Sequence, residues 1–107
     1  MEYLPEVFEK EVEFQWDKGN RFKNERKHNI SCEEAEQVFF DPNLIIFLDE
    51  KHSGSEKRYF ALGATSTGDI LFAVLTLRRK KVRVISVRKA NKKEKATYEK
   101  FKTNSKI

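Results

Sequence analysis

Cysteine is nearly absent from this chain of 107 residues. Cys32 stands alone, so no intrachain disulfide can brace the fold, and no oxidising compartment is implied. Histidine is almost as scarce, with only His28 and His52, and no zinc-ligand spacing occurs. Four glycines leave no phosphate-binding loop, no dinucleotide fingerprint and no G-x-S-x-G nucleophile elbow. Classical nucleotide-binding and serine-hydrolase chemistries therefore lack support. Long apolar runs are missing too. The longest, 44–48 and 70–77, fall far short of the ~20 residues that span a bilayer. The opening MEYLPEVFEK is acidic and has no basic n-region, so it does not read as a signal peptide. The expectation is a cytoplasmic protein with no membrane contact.

What the chain has is charge. Charged residues make up 36% of it, against about 25% in an ordinary domain. Leu, Ile, Val and Phe nonetheless account for 29 of the 107 residues, above the ~20% level that flags disorder. One domain with a small core and a highly charged surface is expected. The net charge of +5 hides an asymmetry. Residues 1–50 carry 6 Lys+Arg against 13 Asp+Glu, whereas residues 51–107 carry 16 against 4. The second half attracts polyanions, chiefly nucleic acid, through phosphate contacts and counterion release. The alternative is an ordinary solvated charged surface.

Residues 1–11 show no clean period and read as an extension, with 12–102 as the domain and 103–107 as a fraying tail. Val12-Glu13-Phe14-Gln15-Trp16 alternates as a half-buried strand. Asp17 caps a polar helix to about His28, anchored by Phe22, and Asn29 suits the left-handed position that ends it. His28 there reads as a cap more readily than as a catalyst. Ser31-Cys32-Glu33-Glu34 is a capping box opening a helix over 32–40. Cys32 in its first turn reads as a small packed residue. Asp41-Pro42-Asn43 stops that helix, and 44–48 is a buried strand. After a polar loop, strands at 58–64, 69–78 and 82–88 follow, with a turn at Ser66-Thr67-Gly68-Asp69 and a charged one at Arg79-Lys80-Lys81. Asn91 caps a last helix to about Phe101, packed through Tyr98 and Phe101. The order β-α-α-β-β-β-β-α and the short connections predict an α+β fold: a curved antiparallel sheet with helices packed on one face.

Alternation places Ile70, Phe72, Val74, Thr76 and Arg78 on one side of their strand. Val84, Ser86 and Arg88 share a side of the last strand, and Arg58 and Phe60 share one on the strand 58–64. The hairpins can thus gather Arg58, Arg78 and Arg88 beside the hydroxyls of Thr76 and Ser86, a set suited to a bent RNA backbone. Arg83 and Lys89 extend the basic set for RNA binding. The second cluster is Asp49-Glu50-Lys51-His52 with Glu56, able to supply acid–base groups. Its spacing is not diagnostic of a metal, so neither metal nor cofactor is expected.

Phe14-x-Trp16-Asp17, then Asn24-x-x-Lys27-His28-Asn29-Ile30-Ser31 with Glu33-Glu34-Ala35, resembles the opening of the BrnT toxins of type II toxin–antitoxin pairs. The second half is similar as well: Glu56-Lys57-Arg58, Ala61-Leu62-Gly63, Thr76-Leu77-Arg78, and Arg83-Val84-Ile85-Ser86-Val87-Arg88-Lys89-Ala90 with Glu94. The resemblance covers about residues 12–102. It implies a RelE-like fold, ribonuclease activity that inhibits translation, and neutralisation by a DNA-binding antitoxin, BrnA, through which alone operator DNA is contacted. The sequence departs from the family pattern at Asn29, where Gly is usual, at Cys32, where Phe is frequent, and at Leu77, where many members are acidic. For a metal-independent endoribonuclease, Arg58, Arg78 and Arg88 are the phosphate-charge candidates. Glu56 and His52 are the acid–base candidates and Ser86 the orienting one. A non-enzymatic nucleic-acid-binding module is the alternative, although few exposed aromatics stand among the basic residues to stack bases.

Overall fold

The computed structural model describes residues 13–16, 29–51, 54, 56–78 and 81–104. Five strands form one sheet: β1 (Glu13–Gln15), β2 (Ile45–Leu48), β3 (Arg58–Ala64), β4 (Ile70–Arg78) and β5 (Lys81–Lys89). Two helices accompany them, α1 (Cys32–Val38) and α2 (Lys92–Asn104). The strand order is β1-β5-β4-β3-β2. The helix expected at 17–28 and the extension 1–11 lie outside the described residues.

β2 to β5 form the expected antiparallel meander. The all-antiparallel expectation needs correction at one edge. β1 pairs β5 in parallel, Phe14 opposite Val82, so the sheet is mixed. An antiparallel pair can be closed by a tight turn, but β1 and β5 are distant in sequence and nothing in their local pattern fixes their direction.

The placement of the helices also differs from expectation. They cover opposite faces of the sheet, not one. Ala35 and Val38 of α1 pack with Ile46, Ala61, Leu71, Ala73, Leu75, Val82, Val84 and Val87. Tyr98 and Phe101 of α2 pack with Ile45, Leu62, Phe47, Ile70 and Phe72. Both faces of the central strands are apolar, so each face needs a cover.

Short-range signals set the ends of the elements. Asn29 takes the left-handed conformation, with φ 54°. Ser31 and Glu34 make the reciprocal capping box of α1: the Glu34 amide donates to Ser31 Oγ at 3.1 Å, and the Ser31 amide donates to the Glu34 carboxylate at 3.2 Å. Trp16 Nε1 donates to Glu36 at 2.7 Å, tying the end of β1 to α1. Asp41 joins three elements. Its carboxylate accepts from the amides of Asn43 and Ala64 and from the Tyr98 hydroxyl. Burial, and then the Asp41 carboxylate, push the Tyr98 hydroxyl far above the usual tyrosine range, so it stays a donor.

α2 is anchored at its first turn. Asn91 Oδ1 accepts from the Glu94 amide at 2.8 Å, and the Asn91 amide donates to the Glu94 carboxylate at 2.9 Å. The same carboxylate accepts both terminal nitrogens of Arg88, at 2.8 and 2.9 Å. The Arg88 guanidinium also lies 4.3 Å from the centre of the Phe72 ring. Hydrogen bonding to Arg88 holds Glu94 below the usual carboxylate range and raises Arg88 in turn.

Two outcomes follow from this packing. A Cβ on Gly63 would sit 2.7 Å from both the Cγ1 and the backbone oxygen of Val38. Gly63→Ala must therefore displace the end of α1 and is expected to cost about 1–3 kcal/mol in chemical denaturation. Val38→Ala in the same chain recovers only part, because the backbone oxygen remains. Glu94→Gln keeps an acceptor for the cap and loses the ion pair, at about 1–2 kcal/mol near neutral pH. The Glu94 contribution is complete above the ordinary glutamate value of about 4.3 and fades as pH falls through its lower folded value. Thermal midpoints of the two proteins should converge in that acid range, whereas a gap independent of pH would contradict the ion pair.

Candidate functional site

β4 and β5 do not pair in simple register. Val74 faces Ser86, but Leu75 faces Val84, so Ile85 is an extra residue in β5. This is a β-bulge, which shifts the following side chains to the other face. Val84 and Val87, three residues apart, consequently both lie in the α1-side cluster. The expected grouping of Val84 with Ser86 and Arg88 is corrected here. Val84 faces α1, and the α2 side of β5 carries Lys81, Arg83, Ser86 and Arg88.

Three cross-strand rows follow on the α2 side. The first is Leu62–Phe72–Arg88, the second Phe60–Val74–Ser86 and the third Arg58–Thr76–Arg83. Thr76 stands on the middle strand with an arginine on each neighbour. It is 3% exposed, and its hydroxyl has no hydrogen-bond partner among the described residues. A buried hydroxyl left in that state costs stability. Here it sits between two cationic positions whose Cα atoms are about 10 Å apart, two strand spacings. Both arginines are partly buried, and Ser86 in the adjoining row is exposed.

The sheet therefore does not gather Arg58, Arg78 and Arg88 as expected. Arg88 pairs Phe72, four residues along β4 from Thr76, or about 13 Å away. Its guanidinium is taken up by Glu94 and Phe72. Arg78 ends β4 opposite Lys81, and its side chain lies outside the described residues. Arg83, expected as an RNA contact only, takes the place beside Thr76. Lys89 pairs Leu71, a residue of the α1-side core, so it is on the opposite face from Arg88. The missed signal was the spacing of Val84 and Val87, which strict alternation cannot bury on one face.

The expected acid–base cluster borders the same end of the sheet. The Asp49 amide donates to the Arg58 carbonyl at 2.8 Å, and Asp49 is 5% exposed. Glu56 precedes β3 by two residues and is half-buried. His52 lies outside the described residues. Among the described residues no three His, Cys, Asp or Glu side chains are grouped as a metal site, and no helix is long and apolar enough to cross a membrane. Cys32 is buried, as the reading of a packed residue anticipated.

A family described as "Ribonuclease toxin, BrnT, of type II toxin-antitoxin system" matches residues 16–94, which include all three rows and Glu94. Among solved structures the chain is similar to the Brucella abortus ribonuclease toxin BrnT, known from a crystal structure at 1.1 Å resolution. The TM-score is 0.58 and the identity 20%, over 77% of this chain and 100% of that one. At that identity the likeness concerns the fold. No match is found among curated proteins. The family match spans well over half of the chain, which thus belongs to the BrnT family of ribonuclease toxins of type II toxin–antitoxin systems.

Proposed function

We propose that this protein is a metal-independent endoribonuclease that inhibits translation and is neutralised by a cognate DNA-binding antitoxin of the BrnA kind. The observation that carries the reading is the Arg58–Thr76–Arg83 row, two cationic side chains on either side of a buried hydroxyl. RNA can cleave itself when its 2′-oxygen attacks the adjacent phosphorus and the 5′-oxygen departs. A base removes the 2′-hydroxyl proton, cations stabilise the charge gathering on the phosphate oxygens, and an acid protonates the leaving oxygen. The products are a 2′,3′-cyclic phosphate and a free 5′-hydroxyl. Arg58 and Arg83 take the phosphate charge, with Ser86 orienting it. Glu56 and His52, near Arg58 in the chain, are the candidates for the proton transfers. Arg78 contacts a flanking phosphate, and Arg88 keeps α2 in place. No cofactor takes part.

The RelE-like class of the fold, the domain bounds 12–102 and a cytoplasmic location belong to the same reading. The antitoxin lays an acidic or apolar segment over the basic sheet face, where the charge of residues 51–107 draws it in. The pair meets operator DNA through the antitoxin alone.

Expression of the chain alone is expected to stop growth, and co-expression of the antitoxin to restore it. In purified form, Arg58→Ala and Arg83→Ala should each lower RNA cleavage by roughly 10²–10³, the effect of one charge-stabilising group. Arg→Lys should restore part of it, keeping the charge and losing the fork. Arg88→Ala should lower the thermal midpoint more than either. Full cleavage by both Ala variants at positions 58 and 83 would overturn the arginine site.

A further inference from the structure

The helix α2 covers only part of its face of the sheet. Its side chains pack on the row of Leu62 and Phe72 and on Ile45 and Phe47. Among the described residues the next row, Phe60–Val74–Ser86, belongs to neither packed cluster. Phe60 and Val74 are half-buried and Ser86 is exposed. The Phe60 ring is nonetheless held in place. Its centre lies 5.2 Å from that of Phe72, at an interplanar angle of 35°. Phe72 in turn is fixed by the Arg88 guanidinium, itself locked by Glu94. An aromatic ring braced by a neighbouring ring and left partly exposed has its orientation restricted before any ligand arrives.

Its neighbour in the other direction is cationic. Arg58 lies two residues from Phe60 on the same face of β3, about 7 Å along the strand. Arg83 and Ser86 bracket the bulge on β5, which lies beyond β4, two strands from Phe60. An apolar ring with a flat face, one step from paired cationic positions, matches one nucleotide of an extended strand: base on the ring, phosphate on the arginines. We propose that Phe60 is a stacking platform for a nucleobase of single-stranded RNA, next to the phosphate held by Arg58 and Arg83. The inference rests on the ribonuclease reading and adds the form of the substrate. A base inside a duplex is already stacked on its neighbours and cannot lie on the ring, so the platform selects unpaired strands. Stacking on phenylalanine is tolerant of base identity, because every base has a π-face. Ser86, beyond Val74 in the same row, adds an exposed hydroxyl at two strand spacings, about 10 Å from Phe60.

The test uses the full chain and a labelled 2′-O-methyl oligoadenylate hexamer, which lacks the attacking hydroxyl and stays intact during equilibrium binding. Phe60→Leu keeps apolar volume against Phe72 and removes the π-face. It should weaken binding by roughly 5- to 100-fold, the effect of losing one stacked base. Phe60→Trp should bind at least as well as the parent protein. A scan of single abasic sites through the hexamer should find one position with the same loss in the parent protein and no further loss in Phe60→Leu. The abasic scan needs no variant, so it decides even if Phe60→Leu folds poorly. If the parent protein cleaves RNA but no abasic position weakens its binding, the platform is wrong and the ribonuclease reading stands. If the parent protein neither binds the hexamer nor cleaves RNA, both fall.

Discussion

One extra residue in β5 governs the arrangement of the basic face. Val84 and Val87 are both fully buried on the α1 side. Strict alternation would send one of them to the other side. Ile85 absorbs the difference as a bulge, and every side chain before it changes faces relative to those after it. Arg83 therefore stands with Arg58, Ser86 and Arg88 instead of pointing towards α1. The burial of two valines, a matter of core packing, thereby fixes the position of a guanidinium on the surface. The bulge also interrupts the ladder next to Thr76, the site of the buried hydroxyl.

Arg88 is structural: its fork is filled by Glu94, its face lies on Phe72, and through Asn91 the same carboxylate caps α2. A second tie, Tyr98 to Asp41, holds the middle of α2 to the loop before β2 and, through the Ala64 amide, to the end of β3. Together these contacts keep α2 over the Leu62–Phe72 row and leave the two rows nearer Arg58 outside its cover. The charge that the second half of the chain carries in excess is thus partly spent on fixing the helix that bounds the site.

Much of the local structure was legible in the sequence because local chemistry decides it. The capping box at Ser31, the left-handed Asn29, the cap at Asn91 and the turn at Gly68, with φ 90°, all answer to residues within a few positions. The bounds of β3 agree with the strand expected at 58–64. The parallel edge, the opposite placement of the helices and the bulge are decided by contacts between distant segments, and no short window contains them. Choosing between Arg83 and Arg88 as neighbours of Thr76 required the register of β4 against β5. Glu94 offered a clue at the third position of its helix, but its pairing with Arg88 depends on the corner between β5 and α2.

The most direct measurement is a crystal structure of the full chain bound to a 2′-O-methyl RNA single strand. The account predicts one phosphate with oxygens within about 2.7–2.9 Å of the guanidinium nitrogens of both Arg58 and Arg83, with Arg88 still paired to Glu94. A phosphate bound by Arg88 after it has left Glu94, with none near Arg58 and Arg83, would contradict it.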